Sequence, residues 1–166
     1  EFYSENCLMI QYRQTIIQVD MATFYETYLD TVDPESDEVK ALAQEIRGYA
    51  VSVMEELPDS LINQARLEIA LKKIAKDNDA DALAVTCWET LQHQYHIAAC
   101  STFSRLNDQG LIVACEVDVM GALTMLAMNA CGLYQTPSDF IDWTDLHPTE
   151  KNVWLAWHCG NAAGSL

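Results

Sequence analysis

The chain has 166 residues, half of them hydrophobic, which is enough to bury a core in a single domain. Its 25 Asp and Glu against 9 Lys and Arg give a formal net charge of -16, which excludes nucleic-acid binding through a basic surface and docking on anionic lipid. No stretch reaches the ~20 apolar residues of a membrane helix, and no basic segment followed by an apolar core marks a signal peptide.

Residues 1–14 are mixed and weakly periodic. Residues 15–19 (Thr-Ile-Ile-Gln-Val) are rich in β-branched side chains and read as a short strand ending at Asp20. Asp20 is then either a strand-end site residue or, the plainer reading, a polar turn residue or helix cap. Residues 21–31 predict a short helix carrying Phe24, Tyr25 and Tyr28 as packing side chains. A second helix opens after Asp33-Pro34, and Val39, Leu42, Ala43, Ile46, Ala50 and Val53 form its apolar stripe. Pro58-Asp59-Ser60 breaks it and starts a third over 61–76, with Ile62, Ala65, Ile69 and Leu71 facing the core. Lys72, Lys73 and Lys76 favour its C-terminus electrostatically.

Two continuously apolar runs follow, Leu83-Ala84-Val85-Thr86-Cys87 and Leu111-Ile112-Val113-Ala114-Cys115. Such runs predict strands covered on both faces. Between them residues 98–107 form a helix stopped at Asp108-Gln109-Gly110. Residues 121–131 form another, closed by Gly132. Phe140-Ile141-Asp142-Trp143 and Val153-Trp154-Leu155-Ala156-Trp157 read as two last strands, suited to an antiparallel extension. The alternation implies an α/β fold, a three-layer Rossmann-like domain with a mostly parallel sheet and helices on both faces. The expected organisation is one domain over 1–166, with a βααβαβα core over about 15–132 and a strand extension over 133–166. The chain has no initiating Met and stops in a Gly/Ser turn, so it reads as an excised piece of a longer protein whose C-terminal domain is missing.

In a parallel sheet, ligands bind beyond the carboxyl ends of the strands. Glu89 follows the first apolar run, and Glu116 and Asp118 follow the second. If residues 113–119 stay extended, Glu116 and Asp118 share a face and either share a proton or hold a cation. The plainer reading is that Asp118 caps the next helix while Glu116 is solvated. His93 and His96 have i, i+3 spacing but no accompanying zinc-ligand pattern. His158, at a strand end, is a site candidate. It does not pair with Cys159, because adjacent strand residues face opposite ways. The six cysteines (Cys7, Cys87, Cys100, Cys115, Cys131, Cys159) show no CxxC pair, and several sit in apolar runs as small hydrophobes. A reducing cytoplasm is the expected compartment. No P-loop, GxGxxG or GxSxG is present.

Four motifs together resemble the L-fucose/L-arabinose isomerase family, most closely its L-fucose isomerase-like branch. They are Cys87-Trp88-Glu89, Ser104-Arg105-Leu106-Asn107-Asp108, Ala114-Cys115-Glu116-Val117-Asp118-Val119 with Gly121-Ala122-Leu123-Thr124-Met125, and Trp157-His158-Cys159-Gly160-Asn161. The resemblance spans about 81–166, with looser similarity before it. It implies a metal-dependent aldose–ketose isomerase using Mn²⁺ or another divalent cation and working through an enediol. Glu89 and Asp118 would be its metal-holding, acid–base carboxylates, with Glu116 and His158 near the monosaccharide. It also implies a histidine ligand from a C-terminal domain beyond this chain and a pocket shared in a homo-oligomer, so the fragment alone is expected to be inactive. The runner-up is a non-catalytic sugar-binding or regulatory protein on the same α/β scaffold. A third reading makes the carboxylates mere caps of a structural domain.

Overall fold

The computed structural model describes residues 11–49 and 58–161. Residues 13–20 adopt no regular structure, so the strand expected over 15–19 does not form. β-Branched residues favour a strand only where neighbours pack against it; here Ile17 is exposed and only Val19 reaches the core. Asp20 instead caps α1 (Met21–Phe24), its carboxylate accepting from Thr23 N at 3.0 Å and Thr23 Oγ1 at 2.6 Å. Those bonds hold the Asp20 carboxyl below its ordinary value. The helix continues as a π-helical turn, Tyr25–Leu29.

Helix α2 (Asp37–Tyr49) starts where Ser36 Oγ accepts from Val39 N, and α3 (Pro58–Asp77) begins on its proline, as a first-turn proline should. Val39, Ala43 and Ile46 of α2 bury against Ala65 of α3, which bears out the stripe read from spacing; Ala50 and Val53 lie outside the described residues.

The remaining elements are β1 (Ala82–Ala84), α4 (Thr90–Gln94), α5 (Cys100–Asp108), β2 (Ile112–Ala114), α6 (Val119–Cys131), β3 (Phe140–Leu146) and β4 (Trp154–Asn161). Strands β1 and β2 pair in parallel, with Leu83 opposite Val113. β3 and β4 form a separate antiparallel pair. Alternation along the parallel pair sorts its side chains. Leu83, Val85, Val113 and Cys115 join Leu67, Leu71, Phe103 and Leu106 of α3 and α5. Ala82, Ala84, Ile112 and Ala114 meet Ala122, Met125 and Leu126 of α6. Both faces of the two strands are therefore covered by helices, which is why the two runs are apolar at every position.

Two side chains of α5 fix this layer. Val85 N donates to Ala114 O on the β1 side, so the backbone groups of the neighbouring Val113 point to the opposite edge of β2. There Asn107 takes both. Its Oδ1 accepts from Val113 N at 2.9 Å and its Nδ2 donates to Val113 O at 3.3 Å. Arg105, also buried, donates to Glu68 of α3 at 2.9 Å and to Glu45 of α2 at 2.7 Å. Glu68 is fully buried and also accepts from Lys72 and Gln109. Burial pushes the Glu68 carboxyl up, but these three donors outweigh it and hold the group below its ordinary value. Gly110 ends α5 at a φ of +88°, a conformation that glycine adopts freely.

Candidate active site

The carboxyl ends of β1 and β2 are joined one residue out of step. Val117 N donates to Val85 O at 3.3 Å, where a regular parallel ladder would use residue 116. The extra residue is Glu116, with φ of +59°, followed by Val117 at +58°. This is a bulge, and Asp118 N closes it on Cys115 O at 3.0 Å. The extended segment that would have set Glu116 and Asp118 on one face therefore does not exist. Glu116 projects into solvent, while Asp118 is half-buried at the N-terminus of α6.

Asp118 caps that helix: its Oδ1 accepts from Gly121 N at 2.8 Å. A carboxylate has acceptor capacity beyond one cap bond, so capping and ligation are compatible roles. Glu89 stands five residues beyond β1, at the start of α4, and its carbonyl accepts from His93 N at 2.7 Å. Its side chain is exposed and makes no hydrogen bond or ion pair among the described residues. Its φ of +54° places a third non-glycine residue of this edge in the left-handed region. Each such residue costs on the order of 1–3 kcal/mol, and such strain gathers at sites where the surrounding structure must aim a side chain.

His93 and His96 do not form a helical pair. α4 ends at Gln94, and His96 follows with φ of +55°, so the i, i+3 geometry is lost and both rings are exposed. His158 lies on β4, and its side chain is outside the described residues. No group of three His, Cys, Asp or Glu among the described residues is arranged to hold a metal. What the edge offers is two carboxylates on adjacent strand ends, an oxygen-only set of the kind that suits a hard divalent cation rather than zinc or copper. It needs further ligands to close a shell.

Sequence reasoning passed over Arg105 and Asn107 as chemistry, although a signal was present. Arg105 is the only Lys or Arg in residues 77–150, and a lone cation in an acidic stretch is a candidate for a buried pair. It also treated the cysteines as scattered. Each apolar run ends on one, Cys87 and Cys115, and the parallel pairing brings those two sulfurs within 2.9 Å.

No family model matches the chain, and no solved structure matches it. Among curated proteins it is similar to sulfoquinovose isomerases. That of Alkalicoccus urumqiensis is 33% identical over 104 residues, covering 61% of this chain and 23% of the relative. That of Priestia aryabhattai is 31% identical over 104 residues, covering 61% and 22%. That of Clostridium sp. (strain MSTE9) is 38% identical over 102 residues, again covering 61% and 22%. The chain thus spans less than a quarter of the length of these curated relatives. No helix among the described residues is long and apolar enough to cross a membrane.

Proposed function

We propose that this chain is a segment of a metal-dependent aldose–ketose isomerase, related to the L-fucose isomerase-like enzymes, with its site at the carboxyl edge of β1 and β2. The observation that carries this reading is the similarity of about 100 residues to proteins named sulfoquinovose isomerases. The placement of Glu89 and Asp118 beyond adjacent parallel strands supports it. In the parent protein the covered parallel pair extends into a three-layer, mostly parallel α/β sheet, and a homo-oligomer completes the pocket.

In this reading Glu89 and Asp118 hold Mn²⁺ or a similar divalent cation together with a ligand from elsewhere in the parent. The bound cation would polarise the carbonyl and hydroxyl oxygens at C1 and C2. Glu89, exposed and held in a strained backbone, removes or returns a proton at one of the two carbons. Asp118, fixed by its cap bond to Gly121 N, orients its carboxylate toward the neighbouring oxygen. The proton passes between C1 and C2 through an enediol, which needs two groups able to give and take it. Glu116, projected by the bulge, lies at the rim where a sugar would enter, and His158 is a substrate contact. A sulfonated sugar fits the relatives' name, but Arg105 is the only Lys or Arg in residues 77–150 and is engaged by Glu68 and Glu45. Any cation that meets a sulfonate therefore comes from outside residues 77–150.

The test uses the full-length parent with Mn²⁺ and a panel of aldoses including sulfoquinovose. Turnover is expected, reduced about 10²–10⁴-fold by Glu89→Gln or Asp118→Asn, as for loss of a general acid–base group. Calorimetry on the same variants should show weakened Mn²⁺ binding. The rival reading is a sugar-binding protein without catalysis on the same strand edge. Sugar binding with no turnover of any aldose by the metal-loaded parent establishes that rival instead.

A further inference from the structure

Three sulfurs converge beneath the carboxyl edge, each from a different connection. Cys87 lies in the segment leaving β1, Cys115 directly follows β2, and Cys100 is the first residue of α5. Cys115 Sγ–H donates to Cys87 Sγ across 2.9 Å, and Cys115 also hydrogen-bonds with Cys100. Cys87 and Cys115 are buried, Cys100 is half-buried, and all three are thiols. Packing alone does not require this convergence. Apolar side chains rest at about 4 Å between heavy atoms, whereas these two sulfurs are within about 1 Å of a disulfide bond length, ~2.04 Å. The three sulfurs are not arranged as a metal site.

We infer that Cys87 and Cys115 are a dithiol that closes to a disulfide, with Cys100 as its point of entry, when the chain meets a low-molecular-weight disulfide such as glutathione disulfide. Cys100 is the most exposed of the three and opens a nine-residue helix, whose dipole favours a thiolate. The Cys100 thiolate attacks one sulfur of the small disulfide, forming a mixed disulfide and releasing one small thiol. The bonds to Cys100 and Cys87 and burial push the Cys115 thiol up, so it attacks the Cys100 sulfur as its proton passes to the departing second small thiol. Cys87 attacks Cys115 in turn, passes its proton to the departing Cys100 sulfur, and leaves the Cys87–Cys115 bond. Two protein thiols are oxidised and one small disulfide is reduced to two thiols, so the exchange balances without another reactant. The bond would staple the segment bearing Glu89 to the bulge bearing Glu116 and Asp118, whether or not those carboxylates hold a metal.

The test incubates the full native chain with glutathione disulfide, blocks remaining thiols, denatures, and maps all six cysteines without reduction. The expected product has lost the mass of two hydrogens and joins the peptides containing Cys87 and Cys115. Cys100→Ser should slow closure about tenfold and give the same bond, and an unchanged rate would remove Cys100 from the scheme. Cys115→Ser should stop at glutathione carried on Cys100. If that variant does not fold, the wild-type map decides alone. Recovery of Cys87 and Cys115 as thiols reactive only after denaturation overturns the inference, as does linkage of either to Cys7, Cys131 or Cys159.

Discussion

Gly121 has no room for a methyl group. A Cβ there would press on the Phe140 ring and come within 2.7 Å of Asp118 Oδ2. Gly121→Ala should therefore cost about 1–3 kcal/mol, the usual range for overpacking, read as a lower urea midpoint, and should shift the Asp118 carboxylate with it. On the proposed reading of Asp118 as a cation ligand, the same variant should also weaken Mn²⁺ binding, which separates it from a neutral core change. Glu68 invites a second measurement at this scale. Its folded pKa lies below its ordinary value, so the stability it contributes is fully present above that value and is lost as pH falls through the folded one. The urea midpoint should thus drop as the pH is lowered past the ordinary carboxylate range, ~4.3. Glu68→Gln should lower the urea midpoint at neutral pH, because Arg105 then keeps only the more exposed Glu45 as a carboxylate partner, and should flatten the acid slope. The sequence made Asp118 legible as a cap, since an Asp three residues before a helical Gly has that geometry. It could not show that Glu116 is looped out, because a bulge is defined by which carbonyl the next strand offers, and that pairing joins residues 32 positions apart in the chain.

Helix α5 shows how one short element serves three environments in three consecutive residues. Arg105 reaches the carboxylates of α2 and α3, Leu106 enters the core, and Asn107 meets the backbone of β2. Asn107→Ala would remove the two bonds that Asn107 makes to the buried Val113 N–H and C=O. At about 0.5–1.5 kcal/mol for each lost bond, the loss should exceed that of an exposed substitution such as Gln92→Ala in thermal unfolding. Asn107→Asp should recover only the bond to Val113 N, since a carboxylate accepts but does not donate. The helix itself was plain from spacing and from Gly110 at its end. The short α4 was not read at all, because five residues carry too little periodicity to mark a helix. The strand expected over 15–19 failed for a related reason: β-branched composition is visible in the chain, but the neighbour that would make it a strand is not.

At the scale of the molecule, order is unevenly distributed. The buried side chains gather where α3, α5 and α6 enclose β1 and β2. Along β3 and β4, Ile141, Leu146, Trp154 and Leu155 are exposed. Amides of the hairpin should therefore exchange with deuterium at least about tenfold faster than those of Leu106 and Val113, because opening a segment with few buried contacts costs less than opening the core. Equal protection along both would show that the hairpin is held by packing of its own. The pairing senses follow the sequence reading, parallel for the two buried runs and antiparallel for the last two, but the last two form a sheet of their own rather than an extension of the first among the described residues. Which helix covers which face was not legible there, since that depends on small side chains such as Ala82 and Ala84 admitting α6.

Asn107 has one more consequence. A two-stranded parallel sheet has two edges, each a template onto which another strand can add. By occupying the backbone of Val113, Asn107 acts as a side-chain substitute for a neighbouring strand and seals the β2 edge. The edge beyond β1 carries no strand among the described residues. Growth of the sheet is thereby one-directional: an added strand, such as one from a misassembling copy, has β1 as its docking edge.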